Sequence, residues 1–162
     1  MIGIIGKGVV GTAVHYWLAR FHDIIIHDPI LGTSIDELLE ETNFAYICVP
    51  TPQLPESGDA DLSIIHEILS ILPDGFQAVI KSTIPPGTTK YLGEKYPKLR
   101  LAYSPEFLVE RNSIQDYGDQ DILVVGTNDE ELAEIIFQHH IEAKIVTNEQ
   151  CMKIDSTSAE IL

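Results

Sequence analysis

Three glycines close the first apolar run of the chain, in the string Gly6-Lys7-Gly8-Val9-Val10-Gly11. A G-x-G-x-x-G between a strand and a helix admits few folds. Gly6 permits a tight turn, Gly8 leaves room for a ligand's pyrophosphate to reach the backbone, and Gly11 lets helix and strand pack closely. The helix behind the turn presents free N–H groups and a partial positive charge, a ready anion site.

The rest of the chain repeats the pattern. Apolar runs rich in Ile and Val at Met1–Ile5, Ile24–His27, Phe44–Val49, Ala78–Lys81, Leu99–Tyr103, Ile122–Val125 and Ala143–Val146 read as strands covered on both faces. Between them helices are expected at Val9–Arg20, Ile35–Glu41, Leu62–Leu72, Thr88–Tyr96, Asp129–His139 and Glu149–Leu162. Ser34 with Glu37 makes a capping box, and Asp61, Asn128 and Asn148 are natural N-caps. This alternation predicts a single α/β domain: a Rossmann-like, doubly wound, mostly parallel sheet.

Charge narrows the partners. With 25 acidic and 10 basic residues the chain carries a net charge of −15, which repels nucleic acid and anionic membranes. No apolar run approaches the roughly 20 residues of a membrane span, and the start lacks a signal peptide's basic end and cleavage site. Cys48 and Cys151 have no metal-ligand spacing and read as free thiols of a cytoplasmic protein. His15, His22, His27 and His66 form no ligand pattern either, so no metal is expected. His139 and His140 end a helix, where the dipole favours a surface cation.

Asp28 ends the second strand, 22 positions after Gly6, where a ribose-binding acid belongs. A carboxylate there accepts from a ribose 2′-hydroxyl and repels a 2′-phosphate, so NAD is preferred to NADP. The cofactor site is then Gly6, Gly8, Val9, Val10, Gly11 and Asp28. Three segments break the alternation: Pro50–Ala60, Ser82–Gly87 and Ser104–Asp121. The first two follow strands directly, where ligands bind in open parallel sheets. The first reads as an exposed loop. Within the third, Glu106 and Glu110 are four apart and share one face if the turn is helical. Two such carboxylates push one pKa upward, or else form a solvated acidic face.

The motifs Tyr46–Pro52 (YICVPTP), Lys81–Thr89 (KSTIPPGTT) and Ser104–Glu110 (SPEFLVE) resemble, in this order, the nucleotide-sugar dehydrogenases: the UDP-glucose, UDP-N-acetylmannosamine and GDP-mannose 6-dehydrogenases. The resemblance covers the whole chain but only the N-terminal half of a typical member. It implies oxidation of a sugar C6 alcohol to a carboxylate with two NAD reduced. It assigns Pro50 and Thr51 to the cofactor turn. Ser82 and Thr83 lie beneath the nicotinamide and sugar, with the Thr83 hydroxyl holding a water. Glu106 is the acid/base carboxylate, Phe107 and Leu108 border the sugar, and Glu110 is a second carboxylate near the cofactor. The substrate implied is a nucleotide sugar.

The chain also departs from this pattern. The stretch from Asp28 to Cys48 is short, which removes chain from the adenosine side. Val109 stands where a basic residue is common and Arg111 where a small one is usual. The family's catalytic cysteine sits in a G-x-C-x-x-K-D context that neither cysteine here has. Cys48 lies in a buried strand, and Cys151 opens a helix whose N-terminus lowers its pKa. Residues 148–162 are expected to begin the family's central connecting helix, with the C-terminal catalytic domain absent. A complementary domain or homo-oligomer would then complete the enzyme. A non-catalytic NAD-binding or interaction module is the alternative. The β-hydroxyacid dehydrogenases share the Ser-Thr segment, but P-E-F-L-x-E argues against them.

Overall fold

The computed structural model describes residues 1–162. Seven strands build one sheet: β1 Ile2–Ile5, β2 Ile24–His27, β3 Phe44–Ile47, β4 Gln77–Ile80, β5 Arg100–Tyr103, β6 Leu123–Gly126 and β7 Cys151–Ile154. The α-helices are α1 Val9–Leu18, α2 Ile35–Glu41, α3 Ser63–Ile71, α4 Thr88–Lys95, α5 Ser113–Gly118, α6 Glu130–Glu142 and α7 Ser156–Ile161. The sheet order is β2-β1-β3-β4-β5-β6-β7. Neighbours are parallel except β5 and β6, which meet antiparallel at Tyr103 and Gly126. The expected α/β, mostly parallel, doubly wound sheet is what the chain forms.

Uniformly apolar strands follow from two covered faces. β1, β3 and β6 are buried at every position. Ile4, Tyr46 and Val79 face α1, α5 and α6, against Val14, Leu18, Tyr117 and Ile136. Their neighbours Ile5, Ile47 and Ile80 face the other layer, against Leu38, Ile65, Leu69 and Leu92. The two-residue period of a strand therefore feeds both cores at once. β2 is an edge strand, and all four of its residues are only partly buried.

The C-terminal region corrects the sequence reading. Ala143–Val146 is not a strand. It closes α6: the N–H groups of Ala143, Lys144 and Ile145 return to the carbonyls of His139, Ile141 and His140. Lys144 takes a left-handed φ of 58°, and Ile145 and Val146 still reach the core. The outer strand is instead Cys151–Ile154, in four-residue parallel register with β6, and helix resumes only at Ser156, after Asp155 caps it. A short apolar run carries no period that separates strand from buried turn.

Capping also differs in detail. Ser34 Oγ accepts from Asp36 N–H rather than forming the box with Glu37. A capping box appears instead at Thr147 and Gln150, so Asn148 caps nothing. Asp61 accepts from Ser63 N–H at 2.9 Å, but the cap position of α3 is Leu62, one residue later than expected. The α6 cap is Asp129, accepting from Leu132 N–H at 2.9 Å, and not Asn128. Arg100 grips the same carboxylate through two bonds of 2.6 and 2.7 Å.

The histidine pair is not a surface cation. His140 is fully buried, with Nδ1 2.8 Å from the Ile136 carbonyl and Nε2 2.7 Å from the Tyr117 hydroxyl. A carbonyl only accepts, so Nδ1 carries the proton and Nε2 accepts from tyrosine. His139 meets the Tyr46 hydroxyl at 3.1 Å. Burial pushes His139 down to about 4 and His140 to about 3, because desolvation outweighs the helix dipole here.

Glu160 on α7 is buried against the start of α4. Its carboxylate accepts from the N–H of Gly87 and, at 2.6 Å, of Thr89. The start of α4 thus has a cap that lies 71 residues away.

Candidate functional site

A sheet order of 2-1-3 makes the chain turn in opposite directions from β1 and β3, which opens a crevice between their carboxyl ends. The loops after β1, β2, β3, β4 and β5 converge there on a cavity of about 570 Å³. Gly6, Gly8, Val9 and Val10 form one wall, with Asp28 at its end. Pro50, Thr51, Ser82 and Thr83 form the opposite wall, and Glu106, Leu108 and Glu110 close the far side.

Each glycine has a separate geometric reason. Gly6 has φ +94°, and a Cβ there would lie 2.5 Å from the Cys48 carbonyl oxygen. A Cβ on Gly11 would lie 1.9 Å from the Gly6 carbonyl oxygen, so Gly11 packs behind the turn and does not line the cavity. A Cβ on Gly8 would meet nothing within 4 Å; it would project into open space at the mouth of α1. No side chain caps that helix and its first turn holds no acid, so its leading N–H groups remain available to an anion.

Asp28 is only 9% exposed. Its Oδ2 accepts from Lys7 N–H at 2.6 Å and its Oδ1 from Ile30 N–H at 2.8 Å. The carboxylate is fixed against the glycine turn, and each oxygen keeps a lone pair for a further donor. On the opposite wall, Thr51 Oγ1 donates to the Thr83 carbonyl at 2.6 Å, and Ser82 Oγ to the Val49 carbonyl at 2.6 Å. These two bonds tie the β3 and β4 loops together. The Pro50–Ala60 loop folds back on itself through a bridge between Gln53 and Ala60.

The family model for the NAD binding domain of the UDP-glucose/GDP-mannose dehydrogenase family matches residues 29–142. The chain belongs to this family. Among curated proteins it is 34% identical over 125 residues to a UDP-glucose 6-dehydrogenase of Rickettsia bellii (strain RML369-C), covering 72% of this chain and 29% of that protein. It is 33% identical over 139 residues to a UDP-N-acetyl-D-mannosamine dehydrogenase of Methanococcus maripaludis (strain C7 / ATCC BAA-1331), covering 80% and 31%. The chain therefore spans about 30% of the length of these relatives. A UDP-glucose dehydrogenase structure from Pyrobaculum islandicum superposes with a TM-score of 0.78 at 22% identity, covering 99% of this chain and 47% of that one; this likeness is one of fold. The matched segment starts after the glycine turn, so the case for Gly6–Gly11 rests on the geometry above.

Within this family NAD binding domain, twelve of the residues singled out from sequence line one cavity: Gly6, Gly8, Val9, Val10 and Asp28; Pro50, Thr51, Ser82 and Thr83; Glu106, Leu108 and Glu110. Gly11 and Phe107 do not. Phe107 is 52% exposed. The expected helical turn between Glu106 and Glu110 is absent, since residues 104–109 are neither helix nor strand and only Glu110–Asn112 coil into a 3-10 turn. The carboxyl of Glu106 is held above the usual range, but burial does this, opposed by Lys81; Glu110 is not among the causes. Cys151 begins a strand rather than a helix, and burial and Glu134 push its thiol up. Cys48 borders the cavity, yet burial pushes it up to about 12.

Sequence reasoning passed over two residues. Ile30 follows Asp28, is 94% exposed and lines the cavity. Lys81 is 3% exposed and forms an ion pair with Glu106. The signal for Lys81 was available: a lysine directly after the buried apolar run Ala78–Ile80 needs an anion to hold it.

No helix of this protein is long and apolar enough to cross a membrane.

Proposed function

We propose that this NAD binding domain is the cofactor-holding part of an NAD-dependent nucleotide-sugar 6-dehydrogenase, which oxidises a sugar C6 alcohol to the carboxylate. The observation that carries the reading is the open space at Gly8, in front of uncapped helix N–H groups and beside the fixed Asp28 carboxylate. The residues fit NAD. Gly6, Gly8, Val9 and Val10 would cradle the pyrophosphate, with Gly11 setting the helix close behind. Asp28 would take the adenosine ribose hydroxyls, and the exposed Ile30 would cover the adenine. Pro50, Thr51, Ser82 and Thr83 would border the nicotinamide end. When bound, NAD supplies the hydride acceptor.

Glu106 is the group we assign to moving the sugar's proton, with the Thr83 hydroxyl holding a water, Glu110 on the same wall, and Leu108 at the sugar. Neither cysteine suits thiol chemistry, because burial favours the protonated form of both. The thiol step of the family would come from a complementary domain or a second copy of the protein. Residues 156–161 would lead toward that domain as the start of a connecting helix.

Titration calorimetry of the 162-residue chain tests the cofactor reading. Wild type is expected to bind NAD in preference to NADP. Asp28→Asn, which loses the charge of a hydrogen-bonding acceptor, is expected to weaken NAD by about 10-fold or more. A wild-type chain that binds neither dinucleotide would end the proposal. With NAD and UDP-glucose together, the chain alone is expected to produce almost no NADH by absorbance. Rapid turnover would show that a cysteine outside the family's context can act.

A further inference from the structure

We propose that Lys81 is a positioning residue for Glu106, orienting that buried carboxyl and favouring its ionised, proton-accepting form. The inference rests on the reading of Glu106 as the proton-handling group and names what gives it that capacity.

Lys81 emerges from β4, and Glu106 lies in the irregular segment after β5, so parallel pairing of these two strands brings them side by side. Their side chains are 1% and 9% exposed, and they form an ion pair. The Lys81 ammonium is itself held from three other directions. It donates to Ser104 Oγ at 3.1 Å, and it lies 5.8 and 5.7 Å from the ring centroids of Tyr46 and Tyr117. Two aromatic faces and a hydroxyl make a fitted seat for a cation. The carboxylate it meets is less provided for: Glu106 Oε1 accepts no hydrogen bond beyond this ion pair. Glu106 also lines the cavity.

Every other titratable group packed around the pair is neutral near pH 7. Burial holds the hydroxyls of Tyr46 and Tyr117 well above their ordinary value, and pushes Tyr103 and Cys48 up to about 12. His140, which faces Lys81 from α6, is pushed down to about 3. Lys81 is thus the one opposite charge in contact with Glu106. A buried carboxyl without such a partner is protonated through the neutral range, and a protonated carboxyl cannot accept a proton. Removing the ammonium would raise the proton affinity of Glu106 while leaving every residue of the cofactor cradle in place.

The test uses the full chain with 13C-labelled glutamate side chains, following the Glu106 carboxyl resonance against pH. In Lys81→Met the midpoint is expected to rise by at least about one unit, a 10-fold change in proton affinity. In Lys81→Arg, which restores the charge, it is expected to return most of the way. A midpoint unchanged in folded Lys81→Met would overturn the proposal, whatever that variant does to melting temperature. If Lys81→Met does not fold, wild type decides. Its buried ammonium is expected to give a slowly exchanging 1H–15N signal that shifts at the Glu106 midpoint and loses that step in Glu106→Gln. An ammonium signal blind to the carboxyl's titration would refute the inference. NAD calorimetry on the same samples separates the two ideas, since failure to bind NAD would remove the proposed function and leave the titration result standing.

Discussion

Gly8→Val is expected to abolish measurable NAD binding, by at least about 100-fold, while the protein melts where wild type does. The backbone at Gly8, φ −72° and ψ −155°, has a negative φ, so no left-handed strain opposes a side chain. A Cβ there meets no protein atom within 4 Å, so the first carbon of a side chain adds no contact with the fold. The branched methyls would instead occupy the space in front of the α1 N–H groups. Charge-assisted hydrogen bonds from such groups are worth about 1.5–3 kcal/mol each, and losing two accounts for the 100-fold. Gly11→Ala is the opposite experiment. One added carbon at 1.9 Å from the Gly6 carbonyl oxygen forces helix and turn apart, so the melting temperature is expected to drop and binding to fall with it. Calorimetry with NAD and thermal melts by circular dichroism read both. A Gly8→Val chain that binds NAD like wild type would place the phosphates elsewhere.

Acid is expected to destabilise the protein from about pH 6.5 downward, before its carboxylates titrate. His140 is held neutral in the folded chain down to about pH 3, and His139 to about 4, whereas unfolded histidine takes up its proton near 6.5. Between those limits the unfolded state binds more protons. Stability is therefore complete above pH 6.5 and falls as the pH drops. His140 alone contributes a slope of up to about 1.4 kcal/mol per pH unit. Two or three units of that consume a large share of the roughly 5–15 kcal/mol that holds a domain together. His15 and His66, also lowered by burial but nearer solvent, act in the same direction. Asp61, Asp129 and Asp155 are held low by their hydrogen bonds and lose them only below about pH 4. His140→Gln keeps an acceptor for the Tyr117 hydroxyl and removes the titration. Its melting temperature is expected to fall less steeply between pH 6.5 and 4, and an unchanged slope would mean that His140 is protonated in the native fold.

Much of this protein could be read along the chain. β2 and α2 occupy the very residues that their apolar runs and flanking caps predict, and the remaining first six strands shift by only a residue or two at their ends. The glycine turn, Asp28 and the loops after β3, β4 and β5 were placed by short motifs, and the fold brings them to one crevice. These features are local: a period of 2 or 3.6, a turn that needs glycine, a loop that must follow a strand.

What the sequence left undecided depends on neighbours distant in the chain. Ala143–Val146 and Cys151–Ile154 are both short and largely apolar, and which of them becomes a strand depends on which can lie in register beside β6. Glu106 and Glu110 are four residues apart, yet the partner that governs Glu106 is 25 positions back, on the adjacent strand. His139 and His140 look like a helix end open to water until Tyr46 and Tyr117, from a strand and another helix, close over them. Periodicity and turn chemistry act within a few residues, so the sequence by itself determined the layers and the place of the site. Burial and charge pairing act through space, so only the tertiary structure decided which charged groups are buried together there.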